Sequence, residues 1–343
     1  MTQLLGDGLV RAGHQVTIAT NEKGEVEHAL NFRLLRCPGA GHLISEYGSA
    51  RAVILQGSAM RLGWPLLWMR HSAVMVHHMA LKRPKNPAIG WFRARLARRV
   101  HHAAVSRALA RSLPWPVEAV LRNPYDDGLF RMHGKIDRPR DILFVGRLIP
   151  EKGAHVLLKA VAWMRQRGTN CAVTLVGTGP ERDPLEKFIT THRLKNQVRL
   201  AGQVTGEALA GLFRQHRTLA VPSLQLEGFG LVALEAIACG CAVVGSNLGG
   251  LAEAIGPCGT TVPPGDEVAL AGRLRDLLRS RDESDRFCAG AKQHLAKHRP
   301  KAVAEAYLNL IEKVVGIEVP ERWAERTRDS AGKEDPSRPC VSL

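Results

Sequence analysis

The sequence predicts an α/β protein made of two doubly wound, Rossmann-like domains, each with a parallel sheet. Two observations carry this reading. At 343 residues the chain is long enough for two domains of ordinary size. Its second half alternates short β-branched runs with helical patterns in regular succession, the signature of β-α-β units and a parallel sheet. The first half repeats the pattern more faintly.

In the second half the spacing predicts strands at Asp141 to Gly146, Ala172 to Gly177, Val198 to Gly202, Thr218 to Pro222 and Ala242 to Ser246. Helices are expected at His155 to Arg167, Glu181 to His192, Glu207 to His216 and Leu231 to Cys239. In the first half, Thr2 to Arg11 and Ala59 to Arg70 read as helices, and Gln15 to Thr20, Val53 to Gln56, Ala73 to His77, His101 to Val105 and Ala119 to Arg122 as strands. The polar segment His133 to Arg140, with Gly134 and Pro139, is the expected linker. The domains expected are thus 1–138 and 139–318, followed by a crossing helix and tail over 319–343. From Thr327 the composition turns polar, and disorder is expected there.

Composition narrows the class. With 45% hydrophobic and 23% charged residues, 33 Gly and 19 Pro, the chain is neither collagen-like nor fibrous nor disordered overall. No run of 18 uncharged apolar residues occurs, and the first residues lack the features of a signal peptide, so a cytoplasmic location is expected. Seven cysteines without a Cys-x-x-Cys pair fit neither a disulfide framework nor a standard zinc site, and no Asp-x-Asp pair occurs, so no metal site is predicted. Cys239 and Cys241, flanking Gly240 at the end of an apolar helix, read as packing residues.

Charge is unevenly spread. Of the formal +16, residues 1–140 hold +12, from 21 basic and 9 acidic residues. Nine Lys or Arg and no acid lie between Lys82 and Arg111, with Trp91, Phe92, Leu96 and Val100 at roughly helical spacing. Such a helix can lie peripherally on an anionic membrane surface, hold an anionic acceptor, or simply present a solvated arginine-rich face. A nucleic-acid partner is disfavoured, because no recognised motif accompanies the charge and only 5% of residues are aromatic.

In doubly wound sheets ligands bind beyond the carboxyl ends of the strands. After the strand ending at Val145 come Gly146-Arg147 and then Glu151-Lys152-Gly153. Gly146 permits close backbone approach, and the two cations suit a diphosphate. After the strand ending near Val221 comes Glu227-Gly228-Phe229-Gly230-Leu231, with Glu235 eight residues beyond Glu227. The glycines expose amides at a helix N-terminus, where anions and sugar hydroxyls bind.

These residues resemble a known family. FVGRLIPEKG (144–153), GTGPE (177–181), PSLQLEGFGLVALEAIACG (222–240) and GGLAEAI (249–255) look like the signature set of retaining glycosyltransferases of the GT-B fold, family 4 (group 1). Glu227-x7-Glu235 matches that family's E-x7-E spacing. LVRAGHQVTIAT (9–20), His77, Val105-Ser106 and Arg122-Asn123-Pro124-Tyr125-Asp126 resemble it less specifically. The resemblance implies two Rossmann-like domains facing a cleft, and transfer of a sugar from a nucleoside-diphosphate sugar, such as a UDP- or GDP-sugar, to a glycan or lipid-linked acceptor in polysaccharide, lipopolysaccharide or glycolipid assembly. It implies retention of configuration, no metal and no further cofactor. By it, Arg147 and Lys152 neutralise the leaving diphosphate, Glu235 binds the ribose hydroxyls, and Glu227 with the amides of Gly228, Phe229, Gly230 and Leu231 holds the donor sugar and β-phosphate. Gly146, Gly177 and Gly179 would line the same site, and His77 would contact the donor sugar near its anomeric carbon. His78 is the alternative.

One departure from the family bears on activity. Its members begin with a strand and a Gly-rich loop ahead of the segment matching Leu9 to His14, whereas this sequence starts at the first helix. That strand lies in the middle of such a sheet, so Gln15 to Thr20 is expected to lack a neighbour, with several backbone groups unpaired. The expectation is a true start upstream of Met1 and greater stability for a longer chain. The alternative is a catalytically inactive nucleotide-sugar-binding homologue.

Overall fold

In the computed structural model, the described residues are 1–23, 30–57, 60–81, 86–132, 134, 138–316 and 340–342. They form two compact units: Met1–Val105 with Leu109–Pro124 and Pro300–Leu343, and Ser106–Ala108 with Tyr125–Arg299. The division thus falls at Pro124/Tyr125 and Arg299/Pro300 rather than at the expected 138/139 and 318/319. Packing explains the shift. Phe130 sets its ring edge-on to Phe213 with centroids 5.9 Å apart, which ties the chain before residue 138 to the second unit.

The first unit contains α1 (Thr2–Arg11), β1 (Gln15–Thr20), β2 (Arg33–Arg36), α2 (Ala40–Ser49), β3 (Ala52–Gln56), α3 (Met60–Gly63), a 3-10 turn over Trp64–Leu67, β4 (Ala73–His77), α4 (Pro87–Ala97), β5 (His101–Ala104), α5 (Arg107–Ser112), whose first residues belong to the second unit, and β6 (Ala119–Val120). The single helix expected over Ala59 to Arg70 is broken, because Pro65 has no N–H to continue α3. Leu55, Leu66, Met75, Leu96 and Val100 share one core on this side of the sheet.

The second unit runs β7 (Arg140–Val145), a 3-10 turn over Pro150–Lys152, α6 (Ala154–Gln166), β8 (Val173–Val176), α7 (Arg182–Thr191), β9 (Val198–Gly202), α8 (Gly206–Gln215), β10 (His216–Val221), α9 (Leu231–Ala238), β11 (Ala242–Ser246), α10 (Leu251–Ile255), β12 (Gly259–Val262), α11 (Glu267–Arg279), α12 (Arg281–Ala289) and α13 (Ala291–Ala296). Every strand and helix read from the second-half periodicity is present, shifted by no more than two residues at an end. Its strands are ordered β12-β11-β10-β7-β8-β9 and paired in parallel. The order therefore reverses between β7 and β10. α6 and α11 cover the sheet through Leu157, Val161, Leu270 and Leu274, all fully buried.

After α14 (Pro300–Val315) the chain ends in β13 (Cys340–Ser342), which answers the expectation of a missing strand. The first sheet is ordered β2-β1-β13-β3-β4-β5-β6, so the end of the chain occupies the central place. β13 pairs in parallel with Gln15, Val16 and Thr17 of β1 and with Ala52 and Val53 of β3. The strand expected to lack a neighbour, β1, is bridged to β3 at these positions, and 340–342 is a strand rather than part of a disordered tail. The rest of that tail, the crossing helix beyond 318, and linker residues 133 and 135–137 lie outside the described residues.

A deletion tests the bridge. Removing residues 340–343 should unpair the facing backbone groups of β1 and β3, at roughly 1 to 3 kcal/mol for each buried group left without a partner. A fall in Tm of about 5 °C or more is expected, at roughly 2 to 4 °C per kcal/mol for a domain of this size. An unchanged Tm would show that β13 contributes nothing to the sheet.

Candidate functional site

The switch point between β7 and β10 gathers the second unit's motifs, because loops leaving adjacent strands in opposite directions open a crevice between them. The 3-10 turn after β7 ends at Lys152, whose Nζ lies 2.6 Å from Glu227 Oε1 in the loop after β10. The same Oε1 accepts a 2.5 Å hydrogen bond from Ser223 Oγ. The backbone sets this geometry: Leu224 N–H donates to Glu151 O at 2.8 Å, and Gly250 N–H to Glu227 O at 2.8 Å. Three loops are thereby tied together. Arg147, one turn before Lys152, is exposed, with no ion pair or hydrogen bond of its side chain among the described residues.

Gly177 and Gly179 have φ of +138° and +156°, outside the range that L side chains readily adopt. A Cβ at either position would collide with the carbonyl oxygen of Gly146 or Leu148. Their place in the site is therefore to let the loop after β8 lie against the loop that carries Arg147.

α9 begins at Leu231, behind Gly230 at φ +98°, and no side chain caps its first amides. These N–H groups and the positive end of the helix are open to an anion. Glu235 sits one turn along, and helical side chains lean back towards the N-terminus. Its carboxyl has no hydrogen bond or ion pair among the described residues, and burial raises its pKa from 4.5 to about 7, with a smaller contribution from Asp126. A largely buried carboxyl with nothing to bind is suited to hydroxyl donors from a ligand. The Phe229 ring, by contrast, is buried against His298, with centroids 5.2 Å apart.

Ser223, Ser106 and Glu253 complete the arrangement and were not singled out as site residues from sequence. Ser106 Oγ donates to Gly228 O at 2.9 Å, and Glu253 accepts from the amides of Arg107 and Ala108 at 3.1 and 2.9 Å. Glu253 lies within the GGLAEAI run, whose resemblance marked the segment but not its partner.

In the first unit, His77 ends β4 and is 1% exposed. Its Nε2 lies 3.0 Å from His102 Nδ1, and His102 Nε2 lies 3.0 Å from Ala97 O. Because the carbonyl can only accept, His102 carries its proton on Nε2, so His77 donates from Nε2 and its Nδ1 is bare. Trp115 stacks on both rings, at 5.8 and 4.9 Å. Burial, with His102 and His78 adding repulsion, lowers the His77 pKa to about 4, so the ring is neutral near pH 7. His78 is bound differently, with Nε2 2.7 Å from Gln56 Oε1.

Among the described residues no group of three or more His, Cys, Asp or Glu could hold a metal ion. Cys239 and Cys241 are buried free thiols, as their reading as packing residues required. No helix among the described residues is long and apolar enough to cross a membrane.

Comparison with known proteins bears on the fold and on the second unit. Residues 127–294 match the family model described as glycosyl transferases group 1. Over 180 residues the chain is 34% identical to the glycogen synthase of Mycobacterium tuberculosis (strain ATCC 25618 / H37Rv), covering 51% of this chain and 43% of that protein. Over 248 residues it is 29% identical to the GDP-mannose-dependent alpha-(1-6)-phosphatidylinositol monomannoside mannosyltransferase of Mycolicibacterium smegmatis, covering 68% of this chain and 63% of that protein. The matches thus span less than two thirds of either relative. Among solved structures, sucrose-phosphate synthase from Thermosynechococcus elongatus has a TM-score of 0.75 at 21% identity, covering 91% of this chain and 92% of that one. Anabaena HepE in complex with UDP and glucose has a TM-score of 0.75 at 18% identity, covering 91% and 96%. The fold is GT-B, with two Rossmann-like units, and the match to the group 1 glycosyltransferase model falls within the second of them.

Proposed function

We propose that this chain is a glycosyltransferase that moves a sugar from a nucleoside-diphosphate sugar to an acceptor hydroxyl, with retention of configuration and without a metal. The observation that carries the reading is the grouping at one switch point of Lys152 on Glu227, the open N-terminus of α9, and Arg147 and Glu235, whose side chains have no partner among the described residues. Arg147 and Lys152 stabilise the charge that develops on the diphosphate as the bond from the anomeric carbon to the β-phosphate oxygen breaks and its electron pair leaves with the phosphate. These two cations supply the charge that a divalent ion would otherwise bring. The acceptor oxygen then bonds to that carbon, and its proton passes to the departing diphosphate on the same face. Glu235 takes the ribose hydroxyls, Glu227 and the amides from Gly228 to Leu231 hold the sugar and β-phosphate, and the neutral His77 is assigned to the sugar. The M. smegmatis relative is named as GDP-mannose-dependent and the Anabaena structure holds UDP, so both bases belong in the test.

Thermal melting with UDP, GDP and ADP tests the reading. A ligand at 100 times its Kd adds about 2.7 kcal/mol to a folded binder. A Tm shift with one nucleotide identifies the base. No shift with any of the three would overturn the donor site, and a shift without transfer or donor hydrolysis would favour a binding protein without turnover.

Glu235 makes a separate prediction. A carboxyl whose folded pKa is raised is disfavoured when ionised, so stability falls as pH rises from about 4.5 through 7. Glu235→Gln should therefore stabilise the free protein at pH 8, by on the order of 2 kcal/mol, and weaken nucleotide binding. Denaturant melts and titration calorimetry read the two effects. A variant that is both less stable and equally tight would remove the assignment.

A further inference from the structure

Between Glu46 and Glu118 the sequence contains no acidic residue, although Lys and Arg recur throughout the interval. The described part of this stretch places exposed apolar side chains beside exposed arginines on neighbouring elements of the first unit. α4 is capped by the Asn86 side chain, which accepts from Ala88 N–H at 2.8 Å, and it turns Leu96 and Ala97 inward. Ile89 remains 46% exposed and Trp91 66% exposed, while Arg95, Arg98 and Arg99 are exposed without an ion pair among the described residues.

The 3-10 turn at Trp64–Leu67 packs against α4, and Trp64 and Phe92 rest on the same core cluster. Trp68, just past that turn, is 72% exposed, its ring edge-on to Trp64 at 5.9 Å; Arg61 on α3 and Arg70, two residues beyond Trp68, are also exposed. Two tryptophans this exposed cost solvation in water unless something covers them, and the surrounding cations determine what can. Tryptophan rings settle at the level of lipid headgroups, and arginines are drawn to the negative surface potential of anionic lipids.

We infer that the outer side of α4 and the residues just past its end, which carry Trp91, Arg95, Arg98 and Arg99, dock peripherally on an anionic phospholipid bilayer together with Trp68 beyond the adjoining 3-10 turn. The charge has the right sign, and the indoles add what a purely solvated arginine face lacks. The inference is independent of the proposed chemistry, since it concerns other residues and needs no turnover.

Flotation of the full chain with neutral phosphatidylcholine vesicles and with vesicles containing phosphatidylglycerol provides the test. Binding is expected to the anionic vesicles only and to be released at high salt. Trp68→Ala with Trp91→Ala should weaken it by about tenfold, equivalent to ~1.4 kcal/mol. Arg95→Glu, Arg98→Glu and Arg99→Glu together should weaken it by roughly 100-fold, at about fivefold for each cation removed. All these side chains are exposed, so an unchanged Tm would verify that each variant is folded. Equal binding to neutral vesicles, no binding at all, a tryptophan variant that floats like the parent, or displacement of the protein from vesicles by a short RNA would each overturn the proposal.

Discussion

Lys152→Ala should abolish the stabilisation by nucleoside diphosphate and lower the transfer rate by about 10² to 10³-fold, the usual cost of removing one preorganised group that faces developing charge. The ammonium is held 2.6 Å from Glu227 Oε1, so its position is set before any ligand arrives. The loss should appear in function rather than in folding. The Lys152 side chain is 30% exposed, and a partly exposed ion pair contributes about 1 kcal/mol or less. Glu227 also keeps its hydrogen bond from Ser223 Oγ when the lysine is gone. A Tm near that of the parent, with no further rise on adding UDP or GDP, is the expected pair of results. A variant that still shifts with nucleotide would place the diphosphate elsewhere. Lys152→Arg retains a cation but spreads it over a planar fork, so partial activity with a weaker shift is expected.

Arg138→Ala should be the most destabilising single change at the end of the predicted linker, by about 3 to 4 kcal/mol, from roughly 1.5 to 3 kcal/mol per charged hydrogen bond less what water recovers. One guanidinium nitrogen donates to Phe213 O at 3.2 Å and His216 O at 2.6 Å; the other donates to Cys239 O at 2.6 Å. These carbonyls lie at the C-terminal ends of α8 and α9, where the last groups of a helix lack internal partners and the helix dipole favours a cation. One side chain thus closes two helices. Denaturant melts should show the loss, and Arg138→Lys should recover part of it, because a single ammonium cannot serve both helix ends. A loss below about 1 kcal/mol would mean that water satisfies these carbonyls equally well.

The second unit was legible because its signals are local. Short β-branched runs alternating with helical patterns placed each strand from β7 to β11 within two residues, and the runs FVGRLIPEKG and LEGFGLVALE fall at the carboxyl ends of β7 and β10, where such sheets bind ligands. Arg147, Lys152, Glu227 and Glu235 were singled out for the same reason: each belongs to a contiguous run whose residue types suit phosphate or sugar.

The first unit was read less well. β2 and α2 were missed because Arg33–Arg36 is polar at both ends and only Leu43 and Tyr47 of α2 are buried, so neither shows a strong period. The helix expected over Ala59 to Arg70 failed at Pro65, a local signal outweighed by the apolar pattern around it.

By itself the sequence determined the α/β class, the parallel character of the second unit, the runs that fall at its switch point and the net positive charge of the first half. Tertiary structure decided that residues 340–342 bridge β1 and β3, that Ser223 joins Glu227, that Arg138 closes two helices and that His102 with Trp115 fixes the ring of His77. Each joins positions that no local period connects. Short apolar stretches and lone polar residues acquire such roles only when the chain has closed around them and each buried polar group must find a partner.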